Sequence, residues 1–138
     1  MSTSSTIGYA DKSGNIFSIR CNWGGNIYEA SKLLNTHYTQ RDKVVQLVSL
    51  GNLCVLKARI EAYNPTKHSY TTPEQGVCVF YGRDRGEPCH ETNMHRNVET
   101  FLEDSPDDTY TFLFDSGHWY VSDGGAFVLL AELLLTYN

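Results

Sequence analysis

Cys78, Cys89, His90 and His95 form the densest group of metal-binding and nucleophilic residue types in the chain. Zinc sites built from such residues usually carry cysteines two to four positions apart. Cys78 and Cys89 have ten residues between them, so no metal site is expected. Cys89 and His90 are adjacent, yet neighbouring side chains on a strand point to opposite faces, and a cysteine nucleophile also needs a lowered pKa. Asp107 and Asp108 follow a proline in a turn, where solvated acids are routine. No catalytic residue is assigned. Neither G-x-G-x-x-G nor G-x-x-x-x-G-K-S/T occurs, and the pairs Gly24-Gly25 and Gly124-Gly125 lack the pattern that would follow them in a phosphate loop. No cofactor is expected.

The strongest binding signal is the turn Arg83-Asp84-Arg85-Gly86-Glu87, entered from Gly82 and left through Pro88. Two arginine forks on a short loop can clamp an anion, and the alternating signs can equally pair with one another and stiffen the turn. Trp23 and Trp119 are the other candidates, since tryptophan and arginine dominate both binding hot spots and the packing of small domains. The binding set read from sequence is therefore Trp23, Arg83, Asp84, Arg85, Glu87 and Trp119.

The elements that position these residues can be read from periodicity. Residues 7–10 and 16–21 form a hairpin about Ser13-Gly14-Asn15, with Phe17, Ile19 and Cys21 alternating with Ser18, Arg20 and Asn22. Ile27, Ala30, Leu34 and Tyr38 share a helical face over residues 27–38. Thr39 is the expected cap of a second helix carrying Val44, Leu47, Val48 and Leu50, and Gly51 suits the left-handed position beyond its end. Residues 53–56 fit a short strand or a last helical turn. Residues 62–76, with Pro65 and Pro73, read as a long loop of the kind that is often functional. The continuous apolar run Val77 to Tyr81 predicts a central strand. A helix is expected over residues 95–104, and a second hairpin about Asp115-Ser116-Gly117. Residues 126–137 are apolar on nearly every side, which predicts a helix buried in the fold or in a symmetric homodimer, the alternative being a central strand with both faces buried. Hairpins at both ends with helices between them give an α+β fold, a mainly antiparallel sheet with helices packed on one side.

With 138 residues the chain fits a single domain over 1–138, residues 1–6 being expected to be flexible. The polar start Met1 to Thr6 resembles no export signal, and the longest apolar stretch, Ala126 to Leu135, falls short of the roughly 20 residues a bilayer needs. A cytoplasmic protein with reduced cysteines and no membrane contact is expected. All eleven Lys and Arg lie in residues 1–96, while residues 97–138 hold eight acids and no base. That acidic end repels a phosphate backbone, so no direct nucleic-acid contact is expected. It reads as a solvated face that aids solubility, or as a patch for a basic protein that itself grips nucleic acid.

Four blocks carry a resemblance: Ser18-Ile19-Arg20-Cys21-Asn22-Trp23-Gly24-Gly25, Leu33 to Tyr38, Lys43 to Gly51, and Phe80-Tyr81-Gly82-Arg83-Asp84-Arg85-Gly86-Glu87. They resemble a family of small phage- and prophage-encoded proteins that reads Ile-Tyr-Cys-His-Trp-Asp-Gly-Tyr, Leu-Leu-x-x-His-Tyr, Lys-Val-x-x-Leu-x-x-Leu-Gly and Phe-Tyr-x-Arg-Asp-Arg-Gly-Glu. Trp119-Tyr120 matches the family's closing hairpin, and the likeness covers about residues 6–122. Asn22 stands where the family has His, and Gly24 where it has Asp, so any chemistry of that pair is not expected here. The resemblance implies a phage accessory protein that binds a host protein and inhibits a host or anti-phage defence component. The alternative is a small-ligand or nucleotide-binding protein, or a cryptic enzyme, using Arg83, Arg85 and the loop of residues 62–76.

Overall fold

The computed structural model describes residues 4–23, 27–104, 110–122 and 126–136. In chain order the elements are β1 (Ser5–Ala10), β2 (Ile16–Trp23), α1 (Ile27–His37), α2 (Arg41–Ser49), β3 (Leu53–Val55), β4 (Val79–Phe80), β5 (Asn93–His95), α3 (Val98–Asp104), β6 (Tyr110–Asp115), β7 (His118–Ser122), β8 (Val128–Leu129) and α4 (Leu130–Leu135). The strands form one sheet in the order β4-β3-β2-β1-β6-β7-β8, with β5 paired to the free part of β2. The fold is α+β and the sheet mostly antiparallel. Among the strand pairs of the described residues, β1–β6 and β2–β3 run parallel, as does the isolated bridge of Arg59 with Val77.

Both hairpins form where turn chemistry places them. Asp11 Oδ1 accepts the backbone N–H groups of Ser13 and Asn15, both at 2.9 Å, which closes the first turn. In the second, Ser116 and Gly117 both have positive φ, 53° and 84°, the signature of a two-residue turn matched to strand twist. The parallel pairing of β1 with β6 joins the two hairpins and sets rows across four strands. Ile19, Ile7, Phe112 and Val121 lie in one row, and Phe17, Tyr9, Phe114 and Trp119 in another. These rows face α1, α2 and α4, which contribute Ala30, Leu34, Val44, Leu47, Val48 and Leu130 to the same core.

The opposite face is different. The row Arg20, Thr6, Thr111, Ser122 is polar, and a smaller core of Ile16, Leu113 and Phe101 lies beside it. Three helices thus pack on one side, and the short α3 docks on the other through Phe101. Gly8 permits that docking: a Cβ there would meet the Phe101 ring at 3.1 Å and the Phe17 carbonyl oxygen at 3.0 Å.

Several expectations are corrected. Residues 5 and 6 are not a loose tail; they begin β1 and are buried, because their backbone pairs with β2 and β6. The second helix starts at Arg41 with Gln40 as its cap residue, not Thr39, since the preceding Tyr38 is still held in the core. The run Val77 to Tyr81 is not central: β4 lies at the sheet edge. Its apolar character follows from a cover of chain, since Cys78 N–H bonds the Arg59 carbonyl (2.8 Å) and Arg59 N–H bonds Gly76 (3.0 Å). His95 ends β5 instead of opening a helix, and α3 begins at Val98. The terminal apolar segment divides into β8 and α4, so its apolar residues serve strand faces first and a helix face afterwards. Leu135 nevertheless stays 70% exposed. No helix among the described residues is long and apolar enough to cross a membrane.

Gly51 does occupy the left-handed position after α2, at φ +88°, and a Cβ there would collide with the His90 carbonyl oxygen. Gly14 has a similar φ of +85° and open space around it. Gly14→Ala should therefore cost about 1–2 kcal/mol through backbone strain alone. Gly51→Ala should cost about 1–3 kcal/mol more, through the added clash. Urea unfolding of the two variants checks this, and equal losses would contradict it.

Candidate functional site

The turn after β4 shows how its alternating charges are used. Arg83 reaches back across the structure: Nη1 donates to the Ile60 carbonyl (2.8 Å), Nη2 to the Cys78 carbonyl (3.0 Å), and Nε to Asp84 Oδ1 (3.0 Å). All three guanidinium nitrogens are engaged, so Arg83 is a clasp between β4 and the chain at residue 60. Asp84 is buried behind it and accepts the Phe80 N–H at 2.8 Å. His68 closes the network. Its Nδ1 accepts the Glu74 N–H (2.9 Å), which puts the ring proton on Nε2, facing the Cys78 carbonyl at 3.1 Å and Asp84 Oδ2 at 3.5 Å. The pairing reading of the turn holds for Arg83 and Asp84, and neither is free to clamp an anion.

Arg85 behaves differently. It pairs with Glu87, and its guanidinium lies over the rings of Tyr70 (4.1 Å) and Tyr81 (5.1 Å). Tyr81 in turn stacks on His90 at 4.4 Å and 12°. Tyr70, Arg85, Tyr81 and His90 thus make one surface stack, tied by Glu87 to Arg85 and His90 and by Asn22 to the Tyr81 hydroxyl. Tyr63 is 85% exposed and Tyr70 48%, the former under the Arg59 guanidinium at 3.9 Å. The loop of residues 62–76 carries both tyrosines, and it is well tied. Glu74 accepts from Tyr63 N–H (2.9 Å), Asn64 N–H (3.0 Å) and Arg59 Nη1 (3.1 Å).

Trp119 is a core residue, 4% exposed, with its indole N–H on the Tyr38 carbonyl (2.8 Å) and its ring edge-on to Phe114. It offers no contact surface, because packing against α1 has enclosed it. The Trp23 side chain, Gly24-Gly25, Asp107-Asp108 and Gly124-Gly125 lie outside the described residues. Cys78, Cys89, His90 and His95 are not brought together. Cys78 is buried beside the Tyr38 hydroxyl, and burial pushes its thiol pKa up, away from nucleophilic use. Among the described residues no three His, Cys, Asp or Glu side chains are grouped to hold a metal.

A second constellation lies on the reverse face. His95 Nε2 is 3.0 Å from Ser18 Oγ, and His95 Nδ1 is 3.0 Å from Asp104 Oδ2. Strand register creates the first contact, since His95 pairs with Ile16 and Ser18 is the next residue of β2 on that face. The Phe101 ring, 5.3 Å from the imidazole, packs against it. A cleft of about 280 Å³ opens here, lined by Thr6, Ser18, Arg20, Asn93, His95 and Asp104. The Ser–His–Asp order is that of a hydrolase relay. Ser18, however, is 2% exposed and in mid-strand, paired on both sides by β1 and β5. No strained turn lifts its hydroxyl toward a substrate, and the relay serves to hold β5 and α3 against β2.

The stacking tyrosines and this cleft were not singled out from sequence. The alternation of Ser18 and Arg20 with Phe17, Ile19 and Cys21 was a signal for the cleft, but their partners come from residues 93–104, which no local pattern connects to β2.

The Glu74 carboxyl is held below its ordinary range, chiefly by the Tyr63 and Asn64 N–H groups and then by Arg59. A depressed carboxyl stabilises the folded loop above its unfolded pKa, and that contribution is lost as pH falls through the folded value. Hydrogen exchange at Tyr63 and Asn64 should therefore accelerate, relative to Phe112 in β6, only once the pH has fallen below the ordinary glutamate range. Glu74→Gln should remove the step, and a flat profile in the native protein would contradict the assignment.

No family model, no curated protein and no solved structure matches this chain.

Proposed function

We propose that the protein works by binding another protein through the surface of Tyr63, Tyr70, Arg85 and His90. The observation that carries this reading is the Tyr70–Arg85–Tyr81–His90 stack, backed by the buried Arg83–Asp84–His68 network. Tyrosine and arginine offer large contact area, and side chains already stacked lose little further entropy on association. Arg85 is the one arginine of the turn whose face is directed to this surface, whereas Arg83 is consumed internally. That distribution favours protein contact over an anion or nucleotide clamped by both arginines.

The partner fits a host-cell protein. The resemblance of these blocks to those of phage- and prophage-encoded proteins supports an accessory role in the host cytoplasm, with inhibition of a host or anti-phage defence component as its effect. The acids of residues 97–138 suit a basic partner, including one that binds nucleic acid. A symmetric homodimer through residues 126–137 belongs to the same proposal, on the exposed Val128 and Leu135. Light scattering should then give twice the chain mass, and Leu135→Glu should return it to the monomer value.

Affinity purification from phage-infected bacteria tests the main reading, followed by measurement on the isolated pair. Tyr70→Ala and Arg85→Ala should each weaken the complex by about 2 kcal/mol, roughly thirtyfold. The loss of fold stability should stay within about 1 kcal/mol, since exposed cation–π contacts are worth little more. Unchanged affinity in the double variant would overturn the proposal.

A further inference from the structure

We infer that the reverse-face cleft is a binding site for a small ligand with an oxyanion head, a carboxylate or a phosphate. Register places Thr6 and Arg20 directly opposite each other on β1 and β2, with both side chains on the reverse face. The Thr6 hydroxyl and the Arg20 Nε are buried, and neither has a hydrogen-bond partner in the protein. Thr6 is 4% exposed, and both residues line the cleft. Buried donors are almost always paired, and an unpaired guanidinium N–H is among the costlier exceptions. No carboxylate of the described residues forms an ion pair with Arg20, although Arg59, Arg83 and Arg85 each find one. A fixed positive charge beside a free hydroxyl, in a pocket with walls, is suited to an anion's oxygens.

The far end of the cleft constrains the rest of the ligand. Asp104 accepts the proton of His95 Nδ1, so in the neutral ring Nε2 accepts the Ser18 hydroxyl proton. Ser18 then faces the cleft as an acceptor, and the Asp104 carboxylate lines the same cleft across the imidazole from it. A hydroxyl or another hydrogen-bond donor on the ligand fits there. About 280 Å³ accommodates a molecule of a few carbons, so small hydroxy acids and small hydroxylated phosphate esters are the ligand class.

The test is a backbone NMR titration of the full chain with inorganic phosphate and, separately, with acetate. Saturable shifts centred on the amides of Thr6, Ser18, Arg20 and Asn93 are expected with at least one probe, and which probe saturates identifies the head. Arg20→Gln should weaken that binding at least tenfold. Thr6→Val, which keeps the strand's shape, should weaken it several-fold and covers the case in which Arg20→Gln does not fold. Linear shifts scattered over surface lysines with both probes would overturn the inference, as would saturable binding unchanged in Thr6→Val. Loss of the protein partner in the loop variants does not affect this result, because those residues lie on other elements.

Discussion

The structure depends on strand alternation carried in phase across four strands. One parallel pairing, β1 with β6, locks two independent hairpins into a common register, and from then on every row is committed to a face. Rows with Ile7 and Tyr9 meet the helices, and the row with Thr6 turns away from them. A slip of one residue would exchange the two sets, burying Arg20 under α1 and α2 and exposing Phe112 and Phe114. Core and cleft are therefore products of the same constraint.

The other half of the molecule is organised by charge. β4 has only two residues, and such an edge would gain little from pairing alone. Arg83 compensates by bonding the carbonyls of Ile60 and Cys78, and Asp84 and His68 fill the space beneath it. The buried charges are paired and hydrogen-bonded, which is the condition under which charge is tolerated away from water. The loop of residues 62–76 thereby acquires a fixed base, and its tyrosines project from a rigid support.

Both hairpins, α1, the approximate extent of α2 and the glycine after it were legible because their signals are local: alternation, helical spacing and turn residues. Residues 77–81 and 126–135 misled for a shared reason. An apolar run reports burial and not where the burial comes from, so chain wrapped over an edge looked like a central strand, and a strand turning into a helix looked like one buried helix. In the charged turn, sequence identified the residues but not their division into a buried clasp and a surface stack. That division depends on Ile60, His68 and Tyr70, which lie in a segment without periodicity. The cleft was least legible, because Ser18, His95 and Asp104 acquire a relationship only through the β2–β5 pairing.

The pairing of residues 5–9 with 110–114 joins positions more than 100 residues apart. Closing so long a segment must precede the reward from its contacts, which places this domain among the slower folders of its size. During synthesis β1 emerges about 100 residues before β6, and β2 is its strand neighbour for that interval. Its second edge stays open for that interval, although α2, which packs on β1 and is made long before β6, can already cover the apolar face that carries Ile7.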